Sequence, residues 1–142
     1  MGAQATRTES LSGLWSGRYW YMSTELHIPA TVPFSAVILD TDGKITGTTL
    51  EPNSFVNNEL IELTSIIDGQ REGGMIDFLK IYDDLPDLHQ YPIDYAGEVD
   101  EDLSRIVGGW SITHDLDEVR GGFELVRLSQ TVEMSRSISN EL

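Results

Sequence analysis

Runs of alternating apolar and polar residues, closed at short intervals by Gly, Pro, Asn or Asp, occupy most of this chain. A period of two sends successive side chains to opposite faces of an extended strand, and frequent turn signals join such strands as hairpins. About eight strands are expected, at 13–22, 33–39, 44–51, 60–68, 75–82, 91–99, 105–113 and 121–128. Asp42-Gly43 between two apolar runs is the clearest hairpin signal, and Gly73-Gly74 opens the fifth strand. Helical periodicity is absent, apart from room for a short helical turn within 54–62. Gly13-Leu14-Trp15 near the start is answered by Gly109-Trp110 and Gly122-Phe123 near the end, so the outer segments are suited to meet. The expected fold is an all-β, antiparallel, up-and-down closed barrel.

The chain of 142 residues fits one domain, read as a disordered leader over 1–11, a barrel over 12–130 and a flexible tail over 131–142. It has no cysteine, which removes disulfides, thiolate metal sites and a Cys nucleophile. The net charge of −15 would repel a phosphate backbone, so nucleic acid is not an expected partner. Neither a secretory signal nor a bilayer-spanning stretch is evident, and a soluble, cytoplasmic protein without a membrane partner is the expectation. Met1-Gly2 with Thr6 formally matches the myristoylation pattern, but the pattern is short and requires a eukaryotic enzyme, so a disordered leader is the expected reading.

Counting by twos from Trp15 turns Gly17, Tyr19 and Tyr21 inward and Leu14, Ser16, Arg18 and Trp20 outward. Tyrosines facing a lumen supply an apolar ring with one hydroxyl, as a ligand pocket requires, and Tyr19, Tyr21, Tyr95 and Trp110 are the expected lining. Glycines at 17, 47, 97 and 108 either empty the lumen or permit the sharp coiling of a small barrel. His27, His89 and His114 fall in expected loops without the spacing of a helical zinc site. Asp83, Asp84 and Asp87 form a solvated acidic loop, and Asp40-Thr41-Asp42-Gly43 is explained by a turn, so no metal is expected. No catalytic triad spacing, phosphate-cradling loop or dinucleotide fingerprint occurs, and no cofactor is expected.

Several pieces in order, Gly13-x-Trp15, Ile45-Thr46-Gly47, Phe78-x-Lys80-x-Tyr82, Tyr95-x-Gly97, Ile106-x-Gly108-x-Trp110 and Gly122-Phe123 leading to Arg127, resemble the calycin group of small barrels, which includes lipocalins and avidins. The resemblance covers about 13–128 and implies that Arg127 stacks on Trp15 to plug one end of the barrel. The avidin arrangement implies a ligand surrounded by Gly17, Tyr19, Tyr21, Thr49, Glu51, Leu79, Tyr95, Trp110, Ile112 and Gly121. Gly17 and Gly121 stand where avidins use Asn and Asp to hold the ureido group of biotin, and Leu79 replaces a stacking Trp, so biotin is not the expected ligand.

Strand 75–82 leaves two registers open. Either Ile76, Phe78, Lys80 and Tyr82 face inward, or Met75, Asp77, Leu79 and Ile81 do. In the first register the Lys80 ammonium lies near the mouth and could bind an acidic ligand, and in the second Asp77 is the enclosed charge. For either, a solvated group or an internal pair with an Arg or Glu51 is the plainer reading. The expected function is binding of a small, mainly apolar molecule in the lumen, with polar contacts from Tyr19, Tyr21, Thr49 and Tyr95. Two alternatives stand beside it. One is a cofactor-free lumen enzyme for isomerisation or cyclisation, with Glu51 or a Tyr as proton donor or acceptor. The other is a packed barrel whose outer face, with Trp20 and an outward Phe34 and Ile38, forms a homodimer surface.

Overall fold

The computed structural model describes residues 10–22, 31–54, 59–85, 91–114 and 117–130. Their strands are β1 (Gly13–Tyr21), β2 (Val32–Thr41), β3 (Lys44–Pro52), β4 (Glu62–Glu72), β5 (Met75–Tyr82), β6 (Ile93–Val99), β7 (Arg105–His114) and β8 (Asp117–Ser129). Each pairs antiparallel with the next, and β8 returns to β1 through Trp15↔Arg127 to Tyr21↔Gly121, closing the barrel. No described helix is long and apolar enough to cross a membrane.

Three strands outrun their expected lengths by more than one residue: β2 gains Val32, Asp40 and Thr41, which pair with Tyr19, Ile45 and Lys44, and β4 and β8 gain more surprising segments. β4 continues through Gly69-Gln70-Arg71-Glu72, polar residues with the composition of a turn, because they pair in register with Met75 to Phe78. Arg71 adds a 2.7 Å bond from its amide to the Gly43 carbonyl. β8 begins at Asp117 because 117–120 pair with 111–114. Within 54–62, Glu62 opens β4, while 55–58 lie outside the described residues, as do 1–9 and 131–142.

At one end the barrel is shut. Asp42 and Gly43 both take positive φ, 52° and 91°, as a tight two-residue hairpin requires, and the Gly43 amide donates to Asp40 Oδ1 at 2.9 Å. Ser10 and Leu11, which the sequence placed with the leader, cross this end. Leu11 is fully buried, its amide donates to Asp40 Oδ2 and its carbonyl accepts from Trp15 Nε1, both at 2.9 Å. The Arg127 guanidinium lies 5.1 Å over the Trp15 ring and donates to the Ser10 and Ser12 carbonyls at 2.5 and 3.0 Å. Asp40 in turn receives Arg71 Nε at 2.9 Å. The plug is thus a cation–π contact locked by backbone carbonyls.

The inward glycines serve the coil of the sheet rather than the volume of the lumen. A Cβ on Gly17 would sit 1.7 Å from the Glu124 carbonyl oxygen, and one on Gly108 2.0 Å from that of Ala96. The neighbouring strand's backbone occupies the place of a side chain at both positions. Above the plug, Phe78 stacks on Tyr95 at 5.0 Å and 9°, and Phe123 meets Tyr95 edge-on at 5.0 Å. Packing fills the lumen from the plug through this aromatic layer, so open space is left toward the end where β1, β3, β5 and β7 finish.

Candidate functional site

β5 settles its register by turning Ile76, Phe78, Lys80 and Tyr82 inward. Leu79 therefore leaves the lumen set: it pairs with Asp68 and Asp94 on the outer face and is 38% exposed. The reason is the two-residue period, which admits Lys80 only by expelling its neighbour. By the same alternation Phe34 and Ile38 are inward and buried, so the outer surface expected from them with Trp20 does not exist. Trp20 itself lies against Gly122, where a Cβ would come within 2.5 Å of the indole, and Arg18 is 5.8 Å from its ring.

Lys80 is 1% exposed, and its Nζ lies 2.6 Å from Oε1 of Glu51, which is 2% exposed. Glu51 also accepts the Tyr82 hydroxyl at Oε1, 2.9 Å away, and the Tyr19 hydroxyl at Oε2, 2.5 Å away. Three donors on two oxygens match a carboxylate, which is an acceptor only. The rings of Tyr19, Tyr82, Phe34 and Tyr95 surround the ammonium at 4.9, 4.9, 5.2 and 5.7 Å. Such faces are favourable to a desolvated cation. Burial pulls the Lys80 pKa down while Glu51 opposes the shift. Thr49, on the same face of β3, shares a hydrogen bond with the Ser65 hydroxyl. Among the alternatives open for Lys80, the structure shows the internal pair with Glu51.

Beside this network is a cavity of about 150 Å³. Tyr19, Tyr21, Tyr95, Trp110 and Ile112, all expected from the sequence, contribute to its wall, as do Tyr82, Tyr91, Ile93 and Val119. Glu51, Lys80 and Thr49 do not. Tyr21 meets Trp110 edge-on at 5.0 Å, and Trp110 Nε1 donates to the Trp20 carbonyl at 3.1 Å. Gly121 accommodates the indole, since a Cβ there would come within 2.7 Å of it. Burial first and Glu51 second raise the pKa values of Tyr19, Tyr21, Tyr82 and Tyr95, so these wall hydroxyls are neutral at physiological pH. A wall of neutral phenols, an indole and aliphatic groups can enclose a small uncharged molecule and offer it few hydrogen bonds.

Tyr82 and Val119 could have been found from alternation alone, Tyr82 two residues after Lys80 and Val119 two before Gly121. Val119 was hidden by the acidic residues around it. Tyr91 and Ile93 carried the same signal, four and two residues before Tyr95 in the expected strand 91–99, although Tyr91 itself precedes β6. Asp83 and Asp84 hydrogen-bond to Thr64, and no cluster of three metal-ligating side chains occurs among the described residues. His27, His89 and Asp87 lie outside them.

Fold and site together define a closed eight-stranded up-and-down β-barrel with one plugged end and a small aromatic cavity, an arrangement compatible with a calycin-like fold. The chain matches no protein-family model, and no curated protein or solved structure matches it.

Proposed function

We propose that this barrel binds one small, mainly apolar molecule in the cavity beside the Glu51–Lys80 pair. The observation that carries the reading is the cavity itself, about 150 Å³ of space walled by aromatic and aliphatic side chains. An apolar cavity of roughly this size is large enough for benzene, and it is well below the ~300 Å³ of the smallest drug-sized pockets. The occupant is therefore a single ring or its aliphatic equivalent. A calycin-like barrel, plugged at one end and receptive at the other, is in keeping with this use. Biotin is not, because backbone stands where side chains at 17 and 121 would have to reach it: a Cβ on Gly121 would lie 1.8 Å from the Trp20 carbonyl oxygen.

The test is a calorimetric and thermal-shift titration with toluene, on the wild type and on Val119→Trp, which fills the cavity from β8. Saturable one-to-one binding with a raised Tm, abolished in a folded Val119→Trp variant, is the expected result. No binding to the wild type, or equal binding to both proteins, would refute the reading.

A further inference from the structure

Tyr95 is 2% exposed and held between Phe78 and Phe123. The hydroxyls of Tyr19 and Tyr82 close on Glu51, whereas that of Tyr95 has no hydrogen-bond partner among the described residues. Nor is it sealed in protein. Among the described residues the one fully buried side-chain nitrogen or oxygen without a partner is Arg127 Nε. The Tyr95 oxygen is not among such atoms, and of the two open spaces that Tyr95 borders, the cavity and a groove on the outer face beside Asp94 and Ala96, the cavity lies on the side to which its ring is turned. Whatever fills that space must satisfy this hydroxyl or leave it unpaired. A ligand that carries an acceptor gains this bond, and one without an acceptor leaves the hydroxyl unpaired.

Resting on the reading that the cavity binds a ligand, we infer that the ligand is a small neutral ring bearing one hydroxyl or carbonyl oxygen, which accepts a hydrogen bond from Tyr95 while the ring packs against Trp110 and Tyr21. The class is that of simple phenols and aryl carbonyl compounds. Neutrality is supported by the wall, which among the described residues contains no cationic side chain. The nearby ammonium of Lys80 is already held by Glu51, so a carboxylate would enter a protein of net charge −15 without a counter-charge. Burial and the charge of Glu51 keep the Tyr95 phenol protonated, hence a donor.

The experiment compares toluene, phenol and benzoate at pH 7 on the full chain and on Tyr95→Phe. Taking the phenol-to-toluene affinity ratio in each protein cancels the different hydration of the two probes. That ratio is expected to fall about tenfold in Tyr95→Phe. Benzoate is expected not to bind. In the wild type alone, nuclear Overhauser contacts between the ortho protons of bound phenol and the Tyr95 ring are expected, which keeps the inference testable should the variant not fold. An unchanged ratio, missing contacts, or benzoate binding as tightly as phenol overturns the inference while toluene binding still upholds the cavity. Failure of toluene and phenol alike overturns the cavity reading itself.

Discussion

Replacing Lys80 by Met removes the cation from an ion pair in which neither partner is more than 2% exposed. The side chain keeps its approximate length, so the main change is electrostatic. Glu51 is left buried with only the Tyr19 and Tyr82 hydroxyls as donors. Breaking such a pair costs about 3–5 kcal/mol, because the surviving charge is uncompensated. With a melting entropy of about 2.1 cal/mol/K per residue, a chain of 142 residues loses roughly 10–17 °C in Tm. The internal control is Lys44→Met, which breaks the Lys44–Asp68 pair, also 2.6 Å long but about 60% exposed on both sides. Exposed pairs are worth about 0–1 kcal/mol. Urea denaturation followed by circular dichroism measures both, and Glu51→Gln completes a double-mutant cycle with Lys80→Met. The double variant is expected to be at least about 2 kcal/mol more stable than the sum of the single losses implies. The reasoning fails if Lys80→Met costs no more than Lys44→Met, or if the two buried substitutions are additive.

Stability is expected to fall above about pH 10. The folded state holds tyrosines 19, 21, 82 and 95 protonated at a pH where unfolded tyrosines ionise, so the unfolded chain binds fewer protons and the slope is negative. Absorbance at 295 nm should show those phenols ionising together with unfolding, and independent ionisation before unfolding would contradict it. Lys80, with its pKa lowered, acts in the opposite sense just below 10.5, so wild-type stability should rise there with pH in urea titrations more than that of Lys80→Met does. Arg127→Met removes the contact over Trp15 and two carbonyl bonds and should cost about 2–3 kcal/mol by urea midpoint, with Arg127→Lys recovering only part. Gly17→Ala, whose Cβ would meet backbone at 1.7 Å, should destabilise far more than Gly73→Ala, where only a positive φ of 59° opposes the side chain, at about 1 kcal/mol. Comparable thermal midpoints for these two would refute the close-approach account of Gly17.

The strands were legible because apolar alternation and turn chemistry are local. Asp42-Gly43 marked its hairpin correctly, and Trp15 set the inward phase of β1. The ends of β4 and β8 were not legible, since residues 69–72 and 117–120 look like turns until partner strands take up their amides and carbonyls. Five cavity residues followed from phase and resemblance, whereas Leu79 did not hold, because two registers of β5 both satisfied the pattern.

The sequence by itself determined that this chain forms strands, where most of them turn, that the first and last strands meet, and that Trp15, Tyr19, Tyr21, Tyr95 and Trp110 face inward. Only the tertiary structure decided three further things. It chose the register of β5, because a two-residue period looks the same after a one-residue slip until facing strands are in place. It paired Lys80 with Glu51, 29 residues away, because charges separated along the chain meet only when strands close around them. Finally it set the cavity near 150 Å³, because free volume is what remains after every inward side chain has packed, and no single residue carries that sum.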